Sequence, residues 1–147
     1  MNLLFFLIFL FSCSSSNDLK PFTKFDLKNY SIYGQYKYNI NNDCWALIEL
    51  KDDSTYQCSY YDGKNISKTT NEKYIVNLNS KNEYYILFYN FKPEFWERDI
   101  NLPNVSFSKY KNISASYNIY IFNNQQLIIP LDFDHNIIYE KILKNDK

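Results

Sequence analysis

The sequence predicts an all-β fold, a single antiparallel β-barrel or sandwich of about eight short strands. Three observations predict it. Residues 31–40 alternate cleanly, with Ile32, Gly34, Tyr36, Tyr38 and Ile40 on one face and Tyr33, Gln35, Lys37 and Asn39 on the other, the period of a half-buried strand. Further short apolar runs follow at hairpin spacing, separated by turns rich in Asn, Asp and Ser. Asp62-Gly63 then supplies a strong hairpin signal, because both residue types tolerate positive φ.

Taken in order, residues 3–11 form an apolar segment of signal-peptide length, too short to cross a bilayer, which takes about 20 apolar residues as a helix. Residues 12–20 are polar. Leu10-Phe11-Ser12-Cys13 resembles the lipobox of a bacterial lipoprotein precursor: a Leu, a variable residue, a small residue and the Cys that is lipidated. That resemblance implies cleavage before Cys13, lipidation of Cys13, and anchoring to a membrane outside the cytoplasm. The expected place is the outer membrane, on its periplasmic side or at the cell surface. A plain secretory signal cut near residues 12–14 is the rival reading, since Ser12-Cys13-Ser14 is a small-residue site too. The expected organisation is a signal peptide over 1–12, a flexible tether over 13–19 and one β-domain over 20–147.

Residues 20–23 read as an extended lead-in, because the residue before Pro21 avoids the helical region. After the 31–40 strand, 41–43 make a turn, 44–50 and 55–61 are strands around a 51–54 turn, and 72–78 and 83–91 are strands around 79–82. Residues 83–91 are apolar on both faces, which suits a central strand or one whose outer face meets the 93–103 segment. That segment is the longest interruption, and Pro93 fits the first position of a short helix. Strands at 105–110, 115–122 and 127–131 follow, with a turn at Asn123-Asn124. The apolar spacing of 137–143 fits a terminal strand or a short helix.

The pattern Gly34-x-Tyr36, then Leu47-x-Glu49-x-x-Asp52-x-x-Thr55-Tyr56, resembles the opening hairpin of lipocalin-like domains in small bacterial envelope lipoproteins. It covers about a fifth of the chain and implies barrel architecture. The Cys-x-x-Cys pair of the copper-resistance-type members is missing, so the resemblance implies no metal role.

Composition narrows the function. Lys plus Arg and Asp plus Glu are 16 each, with Arg98 alone of its kind and no basic cluster, which argues against a nucleic-acid partner. Tyr and Phe number 15 and 12; an AT-rich coding sequence accounts for part of that. His135 is the one histidine, no nucleophile-elbow, phosphate-loop or metalloprotease motif is present, and no catalytic residue, cofactor or metal is assigned. Asp132-x-Asp134-x-Asn136 begins like a calcium loop, but Ile137 and Leu143 stand at the required Gly and Glu positions, and an Asx-rich turn is the expectation.

With Cys13 lipidated, Cys44 and Cys58 remain as a possible disulfide pair in an oxidising compartment. The expected turn over 51–54 opposes this, pairing Leu50 with Thr55 and Leu47 with Cys58. Cys44 is then three residues out of register, ~10 Å along the strand and on the other face. Bonding would need a bulge or a folded-back loop. Phe95 and Trp96, in the 93–103 segment, are candidate binding residues or a plug for one end of the barrel. The expected function is that of a non-catalytic, membrane-anchored envelope lipoprotein that binds a small apolar ligand or a protein partner. An inhibitor or immunity-type protein and a secreted binding domain are the alternatives.

Overall fold

The computed structural model describes residues 18–69, 71–91, 114–134 and 136–143. The expected strand at 105–110, the 93–103 segment with Phe95 and Trp96, Cys13 and His135 lie outside these residues. The described chain is all-β. Its strands are β1 (Leu19–Pro21), β2 (Gly34–Asn39), β3 (Trp45–Leu50), β4 (Thr55–Tyr61), β5 (Ile66–Lys68), β6 (Glu72–Leu78), β7 (Tyr84–Phe88), β8 (Ala115–Asn118), β9 (Tyr120–Phe122), β10 (Gln126–Asp132) and β11 (Ile137–Lys141). The last settles the open choice at 137–143 in favour of a strand.

The hydrogen-bonded order is β1-β9-β10-β11-β2-β3-β4-β6-β7-β8, with β5 on the side of β4. β8 and β9 sit near opposite ends of that order, yet only Ile119 separates them in sequence. They are two halves of one bent strand, so the sheet curls until its ends meet and nearly closes into a barrel. Counting 115–122 as a single stave gives eight staves, β2, β3, β4, β6, β7, β8/β9, β10 and β11, each antiparallel to its neighbour. Full closure is the arrangement that removes exposed sheet edges.

The join is made by backbone. Ile119 donates its N–H to Tyr84 O (3.1 Å), Phe22 N–H to Ile119 O (2.9 Å), and Tyr84 N–H to Phe22 O (2.8 Å). The extended lead-in therefore has a task. β1 lies along β9, and Phe22 wedges between the start of β7 and the bend, its ring fully buried and 5.5 Å from that of Tyr84. The shortest seams are β4–β6 (Thr55↔Lys73, Tyr56↔Glu72) and β11–β2 (Glu140↔Lys37, Lys141↔Tyr36), with two residue pairs each. Beyond the β4–β6 pairs, β5 takes up Ser59 to Tyr61 of the β4 edge, a strand the pattern did not suggest.

The 51–54 turn corrects the expected register by one residue. Ser54 adopts φ 65° and Asp53 Oδ1 accepts from Thr55 N (2.9 Å) and Thr55 Oγ1 (2.6 Å). The loop thus pairs Leu50 with Tyr56 and Ile48 with Cys58. Cys44 then has the same side-chain parity as Cys58, four residues from Ile48, or ~13 Å along the strand. It closes the β2–β3 turn, where its N–H donates to Asn41 Oδ1 and its O accepts from Ile40 N and Asn41 N. No bond joins Cys44 and Cys58; the spacing forbids one.

Inward side chains from every stave meet in one cluster, in which Tyr36, Tyr56, Tyr74 and Tyr139 are buried among Ile48, Ile86, Phe88, Phe91, Ile129 and others. A buried phenol needs a hydrogen-bond acceptor. Tyr36 OH donates to Ile32 O (2.7 Å), Tyr56 OH to Tyr89 O (2.8 Å) and Tyr74 OH to Lys51 O (2.6 Å). Each acceptor is a carbonyl just beyond a strand end. Tyr36, Tyr56 and Tyr74 are thus core residues that also tie connecting segments to the barrel.

Candidate functional site

Register defines two barrel ends. One gathers Asp18, residues 24–33, the turns 51–54, 79–82 and 123–125, and Ile142 and Leu143. The other carries the turns 40–44, 62–65 and 133–136. The first end is closed by a cap, residues 24–33, that the hydrophobic pattern did not reveal. Thr23-x-x-Asp26 could have signalled it, as the spacing of a helix-start capping box.

Asp26 organises the cap. Its carboxylate accepts from Thr23 N (2.9 Å), Thr23 Oγ1 (2.7 Å) and Lys20 Nζ (2.9 Å), while its carbonyl accepts from Asn29 N and Tyr30 N to form one tight turn. Burial alone would raise the Asp26 pKa, but the bonds from Thr23 and Lys20 outweigh it and hold the carboxyl below its ordinary value. The cap is fastened along its length. Lys24 N–H donates to Asn82 O (3.3 Å), Tyr30 OH to Asn124 O (2.8 Å), and Lys141 Nζ to Ser31 O. Lys141 reaches there across Gly34, where a Cβ would stand 3.2 Å from its Cε, and its amine lies 5.8 Å from the centre of the Tyr36 ring. Burial pushes the Lys141 pKa down.

Between this cap and β6–β7 runs a cleft of about 600 Å³, lined by Leu27, Tyr30, Ile32, Tyr33, Val76 and Tyr84, with Lys28, Asn29 and Ser31 as its polar groups. The volume is that of a small-molecule site and the lining has the usual mix, apolar and aromatic with a few polar groups. Among the described residues Lys28 is the one charged group of the lining, and it makes no ion pair with a described residue. A second cleft, about 480 Å³, lies among Thr55, Asn71, Glu72, Lys73, Tyr89 and Asn90. Four of its polar side chains are already engaged, with Asn90 Nδ2 donating to Glu72 Oε2, Lys51 Nζ donating to Asn71 Oδ1 and Thr55 Oγ1 donating to Asp53 Oδ1.

Neither of the described candidate residues from the sequence, Cys44 and Cys58, lines the cleft. Cys44 and Cys58 are apart, and Cys13, Phe95 and Trp96 lie outside the described residues. At the expected Asx-rich turn, Asn136 adopts φ 55° and donates its N–H to Phe133 O (3.2 Å). Among the described residues no group of three or more His, Cys, Asp or Glu is placed to hold a metal, and no helix is long and apolar enough to cross a membrane. Comparison with protein-family models, curated proteins and solved structures gives no match for this chain.

Proposed function

We propose that this chain is a lipid-anchored, non-catalytic envelope protein that holds a small amphipathic ligand in the cleft beneath its cap. The observation that carries the reading is the cleft itself. Aromatic and aliphatic side chains fill the barrel interior, while the cleft offers Leu27, Ile32, Val76 and Tyr84 to an apolar body and the Lys28 ammonium to an anionic head. Eight staves in simple up-and-down order support the likeness to lipocalin-like envelope domains, and the lipobox at Cys13 supports the anchor.

The binding test uses dansyl-undecanoic acid as probe. Saturable one-to-one binding is expected, weakened by about tenfold or more when Val76→Trp fills the cleft, since each ~1.4 kcal/mol of lost contact is a factor of ten. A thermal melt of the same variant confirms that it is folded. Unchanged affinity in a folded Val76→Trp variant refutes the cleft as the site. The anchor is tested separately: a fatty-acid analogue labels the wild type and not Cys13→Ala, and equal labelling of both refutes it.

The protein-partner alternative has an observation of its own. On the outer face Trp45 stacks on Tyr61 (5.7 Å between ring centres, 30°), Lys37 Nζ lies 5.6 Å from the Trp45 ring, and exposed Ile66 follows in the same cross-strand row. Aromatic clusters with a charged neighbour are common in protein interfaces. Tyr61→Ala would weaken capture of a protein partner and leave the dansyl probe bound.

A further inference from the structure

We propose that the capped end of the barrel docks on the surface of the bilayer that holds the anchor, with the Phe25 ring entering the headgroup layer. The inference rests on the lipid-anchor reading. Its first support is covalent reach. Five residue steps separate Cys13 from Asp18, so a fully extended tether spans at most ~18 Å. Asp18 is no loose end. Its N–H donates to Asn123 Oδ1 (3.2 Å), its O accepts from Asn123 N (2.9 Å), and its Oδ2 accepts from Asn124 Nδ2 (3.0 Å). The acyl group is thereby leashed to the β9–β10 turn, at the end of the barrel that carries the cap.

The second support is what that end exposes. Phe25 is 79% exposed, more than any other large hydrophobic residue described, and Leu27, Tyr33, Leu78 and Leu143 are exposed at the same end. The Phe25 position follows from local structure. Its two neighbours are fixed, Lys24 by its N–H on Asn82 O and Asp26 by a carboxylate turned inward to Thr23 and Lys20. The ring between them is left in solvent. Lys24 and Lys28 flank it, both exposed, and their ammonium groups suit lipid phosphates while the stems lie along the apolar layer. The other end also exposes apolar residues, Ile66 and Phe133, but it lies a strand length of ~20 Å further from the tether. Docking this way turns the cleft toward the lipid, where amphipathic molecules are concentrated.

The test uses the purified mature protein in vesicles of phosphatidylethanolamine and phosphatidylglycerol with brominated acyl chains. Two variants are compared, Phe25→Trp at the capped end and Ile66→Trp at the far end. The tryptophan added at 25 should be quenched roughly threefold more than that at 66, as for a ring seated ~5–10 Å into the interface. Equal quenching overturns the proposal. The mass of the same sample reports acylation, so failure of the anchor reading is seen separately. Should the chain carry no acyl group, it is added to the vesicles from solution. Quenching confined to position 25 then sustains the docking face without the anchor, and its absence overturns it.

Discussion

Phe88→Ala is the sharpest test of how the barrel is filled. Phe88 is fully buried near the end of β7, with its ring 4.8 Å from Tyr56, 5.0 Å from Phe91, 6.2 Å from Tyr117 and 6.4 Å from Tyr74. Three of those neighbours stand on paired strands and cannot close in. A residual cavity of ~100 Å³ at ~24 cal/mol per Å³ costs ~2 kcal/mol. Lost burial of the ring adds ~2–3 kcal/mol. The sum, ~4–5 kcal/mol, lies at the upper end of measured Phe→Ala changes and corresponds to a drop of ~15–20 °C in Tm for a domain of this size. The control is Ile75→Ala, on the exposed face of β6, where a change of less than ~1 kcal/mol is expected. Urea unfolding of both variants at neutral pH measures the difference. A gap of less than ~1.5 kcal/mol would mean that Phe88 does not face a close-packed interior.

Three further outcomes follow from the same contacts. The folded pKa of Asp26 lies below its ordinary value of 3.8, so its contribution is complete above that value and is lost as pH falls through the lower one. Asp26→Asn should cost about 1–3 kcal/mol at neutral pH and flatten the acid limb of a stability–pH profile; an unaltered limb contradicts the latch. Burial raises the pKa of Tyr36, Tyr56, Tyr74 and Tyr139 above 10 and that of Tyr117 to about 12. Stability is then intact below pH 10 and is lost as pH rises toward the folded values, and an absorbance titration should find these five still protonated at about pH 11. Unfolded without reductant, the mature chain should alkylate at both Cys44 and Cys58, and mass spectrometry that finds neither modified would restore the disulfide.

Much of this fold was legible because one face of most strands is buried. The 31–40 alternation put Tyr36 inward and Gln35 outward, as found, and the Asn turns at 79–82 and 123–124 take the positive φ that Asn tolerates. What escaped has physical causes. Residues 66–68 are exposed throughout, so β5 carries no period. The 115–122 run keeps one apolar rhythm across Ile119, and no side chain records that the strand changes partners there. Ser54 is not a residue type that announces positive φ, which hid the one-residue slip opposite Cys58. The cleft was least legible of all. Its walls are residues 27–33 on one side and Val76 and Tyr84 on the other, brought together by ring closure, and Thr23-x-x-Asp26 alone hinted at the cap.

The ligand site beneath that cap is tested most directly by backbone amide shifts on titration with dansyl-undecanoic acid. Saturable shifts are expected at residues 27–33, Val76 and Tyr84, with little change at the 40–44 and 62–65 turns. Shifts centred on those far turns, or none that saturate, would contradict it.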